Sequence, residues 1–188
     1  MATGNGNEAS AGRQAPASAL AGPASLQLDP ATSAVTFTHK TFWGLATVRG
    51  GFSDLSGTAE ILADGSAHGR LQIGADSLDT KNAKRDKHLR SADFFNIAAH
   101  PKIVVDVTQA ASSDGSSVQA SGTLTVAGQT RPLALTARIT EASDQSVTLT
   151  AEAAIDRADF GMTWNQLGML KPPAHISVVA RFVKQASS

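Results

Sequence analysis

The sequence predicts an all-β domain, either an antiparallel sandwich or a closed up-and-down barrel, interrupted once by a short helical insert near residues 81–95. Three observations carry that expectation. Past Leu26 the apolar residues recur at every second position. Turn pairs fall between the alternating runs. The segment KNAKRDKHLRSADFFNIAAHP, residues 81–101, concentrates Arg, Lys, His and Asp where the alternation stops.

The alternation is clearest over Arg131–Thr140, where Leu133, Leu135, Ala137 and Ile139 are interleaved with Pro132, Ala134, Thr136, Arg138 and Thr140. A strand with one covered face reads this way. The same reading applies to Val118–Val126 and Val147–Ile155, and further strands are expected at Ala34–His39, Trp43–Gly50, Ser56–Ala63, His68–Leu78, Lys102–Gln109 and Ile176–Lys184. Asp64-Gly65, Asp114-Gly115, Ala127-Gly128 and Ser143-Asp144 supply the turns between them. About eight or nine strands with short connections suit a sandwich or a closed barrel, because open edges must be protected. Alternation puts Val35, Phe37, Leu71, Ile73, Val105, Leu124, Leu135, Ile139, Leu149 and Phe182 on an inner wall, and a register slip of one residue would turn any of them outward. Ala75, Ala120, Gly122, Ala137, Ala151 and Ala153, assigned to the same wall, are small. They leave room for an unfilled interior, unless they reflect only a general alanine bias.

The insert reads as a helix followed by a second turn. Thr80 is placed to cap Lys81–Arg90, Asp86 and Arg90 stand four apart in the favourable orientation, and Arg85 and His88 stand three apart on a neighbouring line. Ser91 is a candidate cap for a short turn in which Asp93 lies near the N-terminus and Phe94 and Phe95 plug an apolar opening. Pro101 ends the insert and pushes His100 towards extended geometry at the start of the next strand.

Composition narrows the function classes. At 188 residues the chain suits one domain, and Lys+Arg and Asp+Glu are both 16, so no net field draws it to nucleic acid. The absence of cysteine excludes disulfides, thiolate zinc sites and a cysteine nucleophile. His39, His68, His88, His100 and His175 are scattered without close ligand spacing, so neither a metal site nor a cofactor is expected. Residues 1–25 are rich in Ala, Gly, Ser and Pro and read as a flexible tail, which leaves 26–184 as the folded domain. The longest apolar candidate there, Ala15–Ala21, is broken by Pro16 and Ser18, so no export signal is visible. The expected compartment is the cytoplasm, or the periplasm or exterior if the native N-terminus is missing. No run approaches the roughly 18 to 20 apolar residues of a membrane span.

Several ordered motifs carry a family resemblance: Leu28-Asp29-Pro30 with Ser33, Val35, Phe37 and His39; Val48-Arg49-Gly50-Gly51-Phe52; and Asp79-Thr80-x-Asn82-x-x-Arg85-Asp86-x-His88-Leu89-Arg90-Ser91-x-Asp93-Phe94-Phe95 before Pro101. Gly122-x-Leu124-Thr125-Val126-x-Gly128-x-Thr130-Arg131-Pro132 and Asp156-Arg157-x-Asp159-Phe160-Gly161-Met162 agree with it. Together they resemble the YceI-like proteins over residues 26–184. The resemblance implies a single antiparallel, extended lipocalin-like up-and-down barrel that sequesters or carries a polyisoprenoid or fatty amphiphile in an apolar tunnel. One departure bears on the rim and on ligand choice: the family's Gly-rich, often acidic connection before the last strand is Leu167-Gly168-Met169-Leu170-Lys171-Pro172-Pro173-Ala174-His175 in this chain.

Enclosing ten methylenes yields roughly 8 kcal/mol gross, before ordering costs. A polar head needs donors, and the insert supplies Lys81, Lys84, Arg85, Lys87, His88 and Arg90. Arg85 and Arg90 are suited to clamp an oxyanion and His88 to donate to it, or else Arg85, Asp86 and Arg90 form a network that pins the helix. Arg157 and Trp164 belong at a rim or in closing the fold. Two competitors stay open. One is a packed structural or interaction barrel without ligand, and the other is a lipid-modifying enzyme with His88 as base, oriented by Asp86 or Asp93. No G-x-S-x-G elbow occurs, and catalysis is not expected. The expected partner is a long-chain isoprenoid or other amphiphilic lipid, with a homodimer left open.

Overall fold

The computed structural model describes residues 22–41, 44–112, 114–165, 170 and 173–186. Its strands are β1 (Ala24–Leu28), β2 (Ala34–Thr41), β3 (Ala46–Phe52), β4 (Leu55–Ile61), β5 (Ala67–Gly74), β6 (Leu78–Asp79), β7 (Lys102–Ala111), β8 (Ser117–Val126), β9 (Gln129–Ala142), β10 (Ser146–Ile155) and β11 (Ala174–Lys184). One helix, α1 (Ala83–Arg90), and two 3-10 turns, Ala75–Ser77 and Arg157–Phe160, complete the described elements.

These segments trace eight long strand paths that close into an antiparallel barrel. β1 and β2 follow one another along β11, with Leu28 opposite Phe182 and Val35 opposite Val178. β3 and β4 return along that path, β3 on β2 and β4 on β1, and β5 and β6 then run beside β4 and β3. From β7 onwards each strand pairs with the next, and β11 closes the ring on β1. Of the two architectures alternation allows, the chain adopts the up-and-down barrel.

Three paths are kinked, and the kinks sit side by side. At the first, Asp29 accepts from Ala31 N–H at 3.0 Å and from the Thr32 hydroxyl at 2.7 Å, a turn suited to the Asp-Pro pair. At the second, Ser53 N–H donates to Ser77 Oγ, and Gly74 N–H to the Asp54 carbonyl. At the third, the run read as one strand from His68 to Leu78 breaks after Gly74 into a 3-10 turn, with Ala75 buried and its N–H bonded to the Pro101 carbonyl. A kink that hands its backbone groups to its neighbours leaves none orphaned.

β1 begins at Ala24, inside the segment read as tail, because Leu26 and Leu28 are both buried there. The remainder of that tail, residues 1–21, lies outside the described residues, as does Trp43; β3 itself starts at Ala46. The β8–β9 hairpin turns at Ala127 (φ 48°) and Gly128 (φ 76°), the pair of left-handed residues that a two-residue primed turn requires. Gly122 faces the irregularity in β7 between Val107 and Gln109, and a Cβ there would collide with the Asp106 carbonyl. Its smallness therefore admits a backbone and does not open a cavity. The buried cluster includes Leu28, Val35, Leu55, Ile73 and Ile103 from the strands and Phe94 from the turn after α1.

A candidate ligand cavity in the barrel interior

An eight-stranded barrel can be filled by side chains or left hollow, and side-chain size decides which. Ala120, Ala137, Ala151 and Ala153 all border the interior here. The result is a cavity of about 1360 Å³ with an overwhelmingly apolar wall, larger than the roughly 300–1,000 Å³ usual for ligand pockets. It runs from Leu62, Ser112 and Ala142 near one set of hairpins to His39, Asn82, Arg157 and Trp164 near the insert.

The insert borders the second end. Asn82 caps α1, its Oδ1 accepting from Arg85 N–H at 3.0 Å. Thr80, expected to be the cap, is displaced from that role because Lys81 takes a left-handed backbone (φ 61°) and Thr80 is itself engaged elsewhere. Its N–H donates to both oxygens of buried Asp86, at 3.1 and 3.2 Å, and its hydroxyl donates to Asp86 Oδ1. Arg85 closes the clasp, Nε donating to Thr80 Oγ1 and Nη2 to the Thr80 carbonyl, each at 2.7 Å. The Asp86–Arg90 pair expected from spacing does not form. Arg90 instead donates to the carbonyls of Asp76 and Leu78, with the Asp76 carboxylate 3.0 Å from its Nε. These bonds dock α1 on β6.

His88 projects from α1 into an aromatic corner. Its ring meets Trp164 edge-on at 4.6 Å and Phe94 edge-on at 5.2 Å, and its Nε2 lies 3.0 Å from Asp93 Oδ2. Ser91 holds the following turn, its hydroxyl donating to the His88 carbonyl at 2.7 Å and accepting from Asp93 N–H at 3.4 Å. Phe94 is buried, and Phe95 meets Phe52 edge-on at 6.0 Å, which extends the aromatic lining to Phe37.

The wall residues assigned by alternation, Val35, Phe37, Leu71, Ile73, Val105, Leu124, Leu135, Ile139, Leu149 and Phe182, all border the cavity. Arg85, His88, Phe94, Phe95, Arg157 and Trp164 border it too, while Arg90 does not. Ala75, assigned to the same wall, is buried in its 3-10 turn and is not part of the lining. Arg157 Nη1 donates to the carbonyls of Met162 (3.0 Å) and Trp164 (2.5 Å), so the arginine closes the turn that presents the indole. His39, named in the sequence motif and among the scattered histidines but not assigned to the wall, lines the cavity with Phe37. Its Nε2 is buried with no hydrogen-bond partner among the described residues, and burial first, then the charge of Arg157, hold its pKa below the usual histidine value. The signal was available: His39 shares strand parity with Val35 and Phe37. Of the connection before the last strand, 166–169 and 171–172 lie outside the described residues; Leu170 bridges to Thr41. Among the described residues no cluster of three metal-ligating side chains occurs, and no helix is long and apolar enough to cross a membrane.

The same fold occurs in solved structures of distant sequence. BcnA of Burkholderia cenocepacia superposes with a TM-score of 0.74 at 16% identity, covering 82% of this chain and 98% of that one. A polyisoprenoid-binding domain from Saccharophagus degradans gives 0.69 at 18% identity, covering 85% and 98%. In sequence, a UPF0312 protein of Pectobacterium atrosepticum is 30% identical over 149 residues, 76% of this chain and 77% of its own. The family model for the YceI-like domain matches residues 26–182, and this chain belongs to that family.

Proposed function

We propose that this protein binds a long-chain hydrophobic or amphiphilic molecule, a polyisoprenoid or fatty amphiphile, in the barrel interior, and sequesters or carries it without chemical change. The observation that carries the reading is the apolar cavity of about 1360 Å³ running along the barrel. Its overwhelmingly apolar wall suits a chain, whose affinity grows with each methylene or isoprene unit enclosed. The polyisoprenoid-binding domain of like fold supports the same class of ligand. The helix end serves as the entrance, since Asn82, Lys84 and Lys87 are exposed and border the cavity. The wall residues from Val35 to Phe182 then hold the chain, and Phe94, Phe95 and Trp164 pack against its near end.

Binding is favoured over catalysis at His88, whose contacts are Asp93 and two aromatic rings that hold it in place. Of the two readings of the charged insert, Arg85, Asp86 and Arg90 favour the structural one, their bonds running to Thr80, Asp76 and Leu78.

A graded chain series tests the reading. A ligand that binds only the folded state raises apparent stability, by about 2.7 kcal/mol at a hundredfold excess over Kd, which is roughly 5–10 °C for a domain of this size. Melting temperature should rise stepwise from farnesol through geranylgeraniol to octaprenol. A flat response across the series would favour the packed structural barrel instead.

A further inference from the structure

The cavity wall is apolar nearly throughout; Lys84 and Lys87 border it from the exposed rim, and several of its other polar groups are committed. Arg70 is paired with Asp106, Arg85 spends Nε and Nη2 on Thr80, and His88 faces Asp93. Two groups on the wall at the insert end stand apart. His39 projects from β2 on the face of Val35 and Phe37 with its Nε2 buried and unbonded among the described residues. Arg157 is half-buried and fixed by the Met162 and Trp164 carbonyls through Nη1, and it enters no ion pair among the described residues. Asp156, its sequence neighbour, accepts from Ala158 N–H and does not line the cavity.

A buried ring nitrogen without a hydrogen-bond partner is costly in an apolar chamber, and so is a half-buried guanidinium whose charge is offset only by Asp156 from outside the cavity lining. One ligand group relieves both: a monoanion that offers only acceptors. We propose that His39 and Arg157 form the polar pole of the cavity and that the pole takes the carboxylate of a long-chain acid. This deepens the chain-binding reading and rests on it. Burial and the neighbouring guanidinium favour the neutral form of His39, which can carry its proton on Nε2 and donate it, while Arg157 supplies the positive charge of the pole; Lys84 and Lys87 border the cavity from the exposed rim. A diphosphate brings several negative charges to a pole with one guanidinium, an alcohol brings that guanidinium no charge, and an amine is repelled by it.

Four probes with one C20 isoprenoid chain separate these cases on the full chain at pH 7.5: geranylgeranoic acid, geranylgeraniol, geranylgeranylamine and geranylgeranyl diphosphate, titrated calorimetrically. The acid should bind at least about tenfold tighter than the alcohol, the expected worth of charge-assisted hydrogen bonds in a desolvated site. His39→Leu should erase about tenfold of the acid's affinity and leave the alcohol's nearly unchanged. Equal binding of acid and alcohol, tighter binding of the diphosphate, or an undiminished acid preference in His39→Leu would overturn the polar pole while leaving the tunnel intact. Failure of all four to bind would overturn the tunnel and the pole together.

Discussion

Thr80, Asp86 and Arg85 form the clasp on which the insert depends, and they meet because Lys81 turns the chain through a left-handed step. Replacing Asp86 with Ala strands the Thr80 N–H and hydroxyl in a buried site, each worth about 1–3 kcal/mol when unpaired. Asp86→Ala should therefore lower the unfolding free energy by about 3 kcal/mol, read as a fall in urea midpoint at unchanged slope. Spacing alone pointed Asp86 at Arg90, four residues on. It cannot register that Arg90 has the carbonyls of Asp76 and Leu78 within reach, because those lie outside the helix and are brought to it by the turn between β6 and α1. His39 carries a second expectation at this scale. Its folded pKa is depressed, so the unfolded chain binds more protons and stability declines as pH drops from about 6.5 towards the folded value. Comparing wild type with His39→Leu between pH 7.5 and 5.5 by chemical denaturation should show the shallower decline in the variant; identical slopes would refute a buried neutral His39.

α1 is eight residues long, too short to persist alone, so its cap and its docking on β6 decide whether it forms. Asn82→Ala should cost about 1 kcal/mol, and Asn82→Asp should restore most of it, a difference thermal denaturation can resolve. In the strands, Gly122→Ala places a methyl against the Asp106 carbonyl at the β7 irregularity and should destabilise by roughly 1–3 kcal/mol. The strands themselves were legible because one face is covered, and period-two alternation records that directly. What alternation could not record is where a strand bends. The break after Gly74 depends on Asp54, Ser77 and Pro101, which exchange backbone and side-chain bonds across three separate paths. Likewise Thr80 and Asn82 are both competent caps by residue type, and the choice between them is made by tertiary contacts of Thr80.

For the whole molecule, closure is the property that matters, and it is the least local. A sandwich and a barrel share the same alternation; only the pairing of β11 with both β1 and β2, between the two ends of the described chain, distinguishes them. Once closed, the ring converts a run of small inward side chains, Ala120, Ala137, Ala151 and Ala153, into a cavity of about 1360 Å³. An empty apolar interior of that size forfeits dispersion contacts that a bound chain would supply. Occupancy and stability should accordingly rise together with chain length. Native mass spectrometry of the full chain, purified without detergent and then incubated with octaprenol, tests this most directly. The expected result is a discrete added mass, one chain per protein, that solvent extraction identifies as a long-chain amphiphile. A clean protein mass both as purified and after incubation would contradict a ligand-binding tunnel.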